Sequence, residues 1–149
     1  MQISVRTIIL GGIAILAGCG PLGPVPGDAI EGQSIPAPQS WASSDAVDII
    51  TVETNPAEPY SVNIWGVDVD PFLYIGASDP DSTWAQNMEQ DERVRVRVRI
   101  GNAIYDLKAV RIDDPATQEV VRQAFIRKYE MDPDEAAFEG AALFRLEPR

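Results

Sequence analysis

After residue 45 the chain alternates apolar and polar residues with a period of two, the pattern of half-buried strands. Val47–Glu53 reads as a strand, Asn55–Pro59 as a loop and Tyr60–Val67 as a second strand. Asp68–Pro71 reads as a turn and Phe72–Ser78 as a third strand. Asp79-Pro80-Asp81-Ser82 offers N-caps for a short helix over Thr83–Gln90. The clearest alternation follows, Arg93-Val94-Arg95-Val96-Arg97-Val98-Arg99-Ile100, then Gly101-Asn102 and a run from Ala103 to Ile112. A two-residue loop there makes a hairpin that pairs Val98 with Tyr105, Val96 with Leu107 and Val94 with Ala109, all on one inward face. Asp113-Asp114-Pro115 caps a longer helix reaching Tyr129, with Ala116, Val120, Val121, Ala124 and Phe125 as its apolar stripe. Met131–Glu139 is acidic and reads as a loop or short helix, and Ala142–Leu146 as a last strand. Strand-rich order with short connections predicts a mainly β protein with helices (α+β): a small closed or nearly closed antiparallel barrel of about six strands, with one short and one longer helix covering its openings.

The start of the chain has a different texture. Arg6 precedes an apolar run, Ile8 to Leu16, which is too short to span a bilayer as a helix. The run ends in Leu16-Ala17-Gly18-Cys19, which resembles the lipobox of bacterial lipoproteins. The resemblance implies cleavage before Cys19, lipid on its thiol and a membrane partner. Gly20 in place of aspartate points to the outer rather than the inner membrane. The plain alternative is a secretory signal with an unpaired cysteine. Five prolines and several glycines between Gly20 and Ser44 forbid helix there and read as an extended tether, with Trp41 the first residue to dock. The expected organisation is a signal peptide (1–18), a Pro/Gly-rich tether with lipidated Cys19 (19–44) and one domain (45–149).

Composition removes more functions than it adds. The chain has 149 residues, 45% of them hydrophobic, and a formal net charge of −11, which argues against nucleic acid as a partner. It has no histidine and one cysteine, so His-based zinc sites, cysteine clusters, Ser-His-Asp triads and Cys-His dyads are excluded. Asp68 with Asp70 and Asp79 with Asp81 flank turns, and nothing else supplies metal-ligand spacing, so no metal is expected.

Arg93, Arg95, Arg97 and Arg99 form a cationic ridge on one strand face, with Asp106 opposite Arg97 and Lys108 opposite Arg95. The ridge is either an anion site, for a phosphate, a lipid headgroup or an acidic partner, or a solvated face met by acids such as Glu53 from another strand. Trp84 and Asn87 share a helix face. They line a pocket, or Trp84 plugs the barrel while Asn87 caps backbone. Ser61, Asn63 and Trp65 share one face of their strand, Tyr60, Val62 and Ile64 the other, and an inward Asn63 would need a partner or a ligand.

The element order, with Tyr74-Ile75-Gly76-Ala77-Ser78, Ser82-Thr83-Trp84-Ala85-Gln86-Asn87 and the Arg93–Ile100 strand, resembles the split β-barrel superfamily. Its members include pyridoxamine-phosphate-oxidase-like flavin proteins and deazaflavin-dependent nitroreductases, the latter with Trp-x-x-Asn on a short helix before a strand of valines. The resemblance covers roughly Asp48 to Tyr129. It implies FMN or a deazaflavin as cofactor, a homodimer with the cofactor between subunits, and Thr83, Trp84, Asn87 and Asn63 near the ring. One departure counts against the cofactor. The basic phosphate-gripping stretch of the nitroreductases is replaced by Thr54-Asn55-Pro56-Ala57-Glu58-Pro59, with an acid and no cation. The expected function is therefore an envelope lipoprotein with a flavin-type split-barrel domain and redox chemistry. The alternatives are a non-catalytic structural or interaction lipoprotein that keeps the barrel without cofactor, and an anion-binding module using the arginine ridge.

Overall fold

A computed structural model describes residues 25–90, 95–134 and 138–149. The signal segment, Cys19, Arg93 and Val94 lie outside the described residues. A 3-10 turn at Ala42–Ala46 leads into seven strands and two helices: β1 (Ile50–Thr54), β2 (Tyr60–Ile64), β3 (Gly66–Val69), β4 (Phe72–Ala77), α1 (Thr83–Gln90), β5 (Arg95–Ile100), β6 (Ala103–Arg111), α2 (Pro115–Tyr129) and β7 (Ala142–Pro148). All seven strands join one antiparallel sheet in the order β2-β1-β5-β6-β7-β4-β3.

The strand count is seven rather than six because the Tyr60–Val67 run breaks at Trp65. Its first half, β2, pairs with β1 at one sheet edge, and its continuation, β3, pairs with β4 at the other. One residue links the two edges, so Ile64 and Gly66 lie no more than about 7 Å apart. The sheet must therefore curl until its edges meet at Trp65, which makes a barrel with a seam.

The hairpin has the register the sequence predicts: Val96 faces Leu107, Val98 faces Tyr105, and Ile100 faces Ala103. Val96 and Val98 are buried in the interior with Val52, Leu73, Ile75, Leu107, Phe144 and Leu146. Trp84 and Met88 of α1 close the same cluster.

A second cluster sits outside the barrel wall, where α2 covers β3, β4 and β7 through Val67, Tyr74, Val121, Ala124, Phe125 and Leu143. The helix starts where its cap predicts: the Asp114 carboxylate accepts from the Thr117 backbone N–H at 2.8 Å. Its apolar stripe is narrower than the sequence suggests, since Val120 is 52% exposed and Ala116 is also exposed. Val121, Ala124, Phe125 and Lys128 are the inward positions, spaced i, i+3, i+4, i+7, and Val120 lies about 100° from that line.

The largest correction concerns the tether. From Val25 onward it is laid against the barrel. Gly27 bridges Ser61 on the open edge of β2, with both backbone bonds at 2.8 Å. The Ile35 N–H donates to Ile104 O at 2.8 Å, and Ile30 and Trp41 are 3% and 2% exposed. Trp41 meets Tyr105 edge to face, with ring centroids 4.9 Å apart. Prolines forbid helix but not an extended strap, and buried Ile30 and Trp41 supply the apolar contacts that fix it.

Candidate functional site

Two regions concentrate chemistry. The first is the arginine ridge, on the outer face of β5. Glu53 of β1 lies opposite Arg97 in register and is 2% exposed. Its carboxylate accepts from Arg95 at 3.2 Å and from the Ile30 N–H at 2.5 Å. Arg97 donates to Ile30 O at 2.6 Å, to Gly32 O at 2.9 Å and to Asp106 at 3.3 Å. Arg99 donates to Glu31 O at 3.2 Å, and Asp106 also accepts from the Ser34 hydroxyl at 2.9 Å. Lys108, which faces Arg95, turns to Glu147 of β7 at 2.9 Å. Cations that would repel across the ladder thus pair with acids on flanking strands, and the strap's carbonyls take remaining donors. Burial opposes charge on Asp106, but Ser34, Arg95 and Arg97 outweigh it and hold the carboxyl below its ordinary range. The Lys108 hydrogen bond does the same for Glu147, against burial.

The second region is the seam. Where β3 begins, at Gly66, the end of β4 runs past it, and the gap toward β2 is a cavity of about 310 Å³. Ile49, Asn63, Ile64 and Trp65 line one side, and Gly76, Ala77, Ser78, Asp79, Ser82 and Trp84 the other. A smaller apolar cavity of about 160 Å³ adjoins it, sharing Trp65, Gly76 and Ser78 and reaching Phe125, Met131, Phe138 and Leu143. Trp65 is 45% exposed. It stacks on Tyr129 at 4.5 Å between centroids, with 12° between planes.

A polar knot behind Trp65 holds this corner. The Gly66 N–H donates to the Tyr129 hydroxyl oxygen at 3.0 Å, and that hydroxyl lies 2.9 Å from both Asp48 O and Gly66 O. Lys128 Nζ donates to Gly66 O at 2.8 Å, Val47 O at 3.0 Å and Ser44 O at 3.2 Å, which satisfies its three hydrogens. Burial pushes the Lys128 ammonium below its ordinary range and the Tyr129 hydroxyl above its own. A Cβ at Gly66 would lie 2.8 Å from Ile50 Cδ1, so a side chain there would displace the buried Ile50 methyl.

The residues expected near a cofactor are distributed unevenly. Asn63 and Trp84 both line the seam cavity. The Thr51 hydroxyl donates to Asn63 Oδ1 at 2.8 Å. Trp84 is 7% exposed and lies 6.2 Å from the Phe144 ring, so its body belongs to the core. Asn87 reaches inward, and its Nδ2 donates to the buried Thr54 hydroxyl at 2.9 Å. Thr83 is exposed at the start of α1 and lines neither cavity. Sequence reasoning placed Trp65 on a strand face but not at a site. A shift of the apolar positions from even (Tyr60, Val62, Ile64) to odd (Val67, Val69) marks the break. Among the described residues no group of three metal-ligating side chains converges, and no helix is long and apolar enough to cross a membrane.

No family model and no curated protein matches this chain. Solved structures do. A conserved hypothetical protein from Mycobacterium tuberculosis aligns at a TM-score of 0.58 and 15% identity, over 80% of this chain and 86% of that one. A pyridoxamine 5'-phosphate oxidase-like protein from Listeria innocua aligns at 0.57 and 11% identity, over 72% and 89%. An F420-H2 dependent reductase aligns at 0.53 and 18% identity, over 67% and 94%. This chain therefore shares the fold of these solved structures.

The fold raises the question of a flavin or deazaflavin, both of which bring a phosphate when they bind as nucleotide-type cofactors. Among the described residues, neither seam cavity is lined by a lysine or arginine, and the larger one carries Asp79. The Asn55–Pro59 loop holds Glu58 and no cation. The arginines that could serve already bond to Glu53, Asp106 and the strap. The described lining of the seam therefore does not fit the phosphate of a flavin.

Proposed function

We propose that this chain is an envelope lipoprotein whose split barrel is a non-redox binding module, with the seam cavity beside Trp65 as its site. The carrying observation is the cavity itself: an open pocket of mixed polar and apolar lining, with one carboxylate and no cation among its described lining residues. Lipid on Cys19 holds the module at the membrane, the outer membrane by the identity of Gly20. Eight residue steps lead from Cys19 to the strap contact at Gly27, so the barrel stays within about 28 Å of its anchor.

The fold likeness favours a second reading, a flavin or deazaflavin redox domain. At the seam it calls for phosphate cations from beyond the described lining, such as those of a second copy in a homodimer. The visible spectrum of the purified full chain separates the two. A colourless protein that takes up neither FMN nor deazaflavin supports the binding module, and a bound yellow chromophore overturns it. Incorporation of labelled palmitate, lost in Cys19→Ser, tests the anchor. Labelling that persists without the thiol removes it.

A further inference from the structure

The chemistry of the seam cavity narrows what it binds. Asp79 is the one charged side chain among its described lining residues. Asp79 Oδ1 accepts the Asp81 N–H at 2.9 Å, which leaves the second oxygen without a partner among the described residues. Trp65 and Trp84 supply indole surface, and Ile49 and Ile64 aliphatic surface. Indole faces attract cations, and the chain's net charge of −11 adds a field of the same sign. Among the described lining residues an anion meets a carboxylate and no counter-charge, whereas an ammonium meets a carboxylate and the half-exposed Trp65 indole. From this we infer that the seam cavity binds a small protonated aromatic amine, its ring against Trp65 and its ammonium N–H groups donating to Asp79. The inference rests on the non-redox reading of the same cavity.

Four probes test it by calorimetric titration of the purified full chain: benzylamine, benzyl alcohol, benzylphosphonate and FMN. The first three share one ring and differ in charge. The expected order is benzylamine, then benzyl alcohol, then benzylphosphonate, with benzylamine about tenfold or more tighter than the phosphonate. Asp79→Asn weakens benzylamine about three- to fivefold and leaves benzyl alcohol unchanged. Asp134→Asn, an exposed acid outside the cavity lining, changes neither, which separates a local contact from the general field. Trp65→Ala weakens amine and alcohol together, and Trp65→Phe restores most of the loss. FMN binding as tightly as benzylamine overturns both the inference and the non-redox reading, and benzylphosphonate binding as tightly overturns the inference alone. Benzylamine binding no tighter than benzyl alcohol, with FMN excluded, overturns the inference alone. Absence of binding by all four also overturns it.

Discussion

The strapped face and the seam are built from the same sheet and differ in how completely the chain satisfies its own groups. On the strapped face, Arg95 and Arg97 each reach a carboxylate, and Arg97 and Arg99 reach strap carbonyls. Glu53 is buried with two donors. At the seam, Trp65 is half exposed and two cavities meet around it. The face richest in charge is thus closed by its own chain, and the seam cavities are poor in charge. A run of cations in a sequence shows where countercharge is needed, not who supplies it.

If the strapped face is structural and the seam is a site, substitutions must separate stability from binding. The largest stability loss is expected for Glu53→Ala, which leaves Arg95 and the Ile30 N–H without their buried acceptor. A loss of about 2–3 kcal/mol in denaturant unfolding is expected, with benzylamine affinity retained. A neutral outcome would mean that the strap does not hold the face. Arg97→Ala removes three contacts to the strap and Asp106 and is expected to cost about 1.5 kcal/mol. Gly32→Ala sharpens the same point without touching a charge. Gly32 has φ +128°, and a Cβ there would lie 2.6 Å from Ile104 Cδ1. A loss of about 1 kcal/mol is expected, read as a lower melting temperature. Trp65→Ala belongs to the other side of the comparison, with unfolding changed by about 1 kcal/mol or less while binding falls.

The smallest effect is a pH dependence. Asp106 and Glu147, both near the ridge, have folded pKa values below their ordinary ones. They stabilise the fold above the unfolded carboxylate pKa of about 4, and that contribution disappears as pH falls through the lowered folded values. Asp68, beside Lys128, runs the other way. Burial, and then Asp45, raise its pKa, so its ionisation on raising the pH through the carboxylate range lowers stability. Asp106→Asn is expected to flatten the acid limb of the unfolding profile below about pH 4, and Asp68→Asn to steepen the net rise in stability with pH. An unchanged acid limb in Asp106→Asn would remove the strapped face as a source of acid sensitivity.

Much of the architecture was legible because the signals are local. Alternation and Gly101-Asn102 carried the β5–β6 register, since one slipped residue would turn Val96 and Val98 to solvent. The Asp114-Pro115 cap carried the start of α2. Glu53 was expected among the arginines, and the pairing of β1 with β5 brings it there. Two misreadings have one origin. The strap has only scattered apolar residues, so Ile30 and Trp41 gave no period to read, and their burial depends on surfaces far along the chain. The Tyr60–Val67 run carries a local sign of its break in the shift of apolar parity, but nothing local says that its halves pair with opposite edges of the sheet.

Taken alone, the amino-acid order determined an α+β split-barrel pattern, the hairpin register, the helix starts, and the exclusion of histidine and cysteine-cluster chemistry, because caps, turns and periodicity act over a few residues. It also carried the expectation of export and of lipid on Cys19. Tertiary structure alone decided that the supposed tether closes the arginine face and that Trp65, Asp79 and Trp84 share one cavity. Those outcomes depend on contacts between segments distant in the chain, and such contacts are fixed only when the curled sheet brings its two edges together.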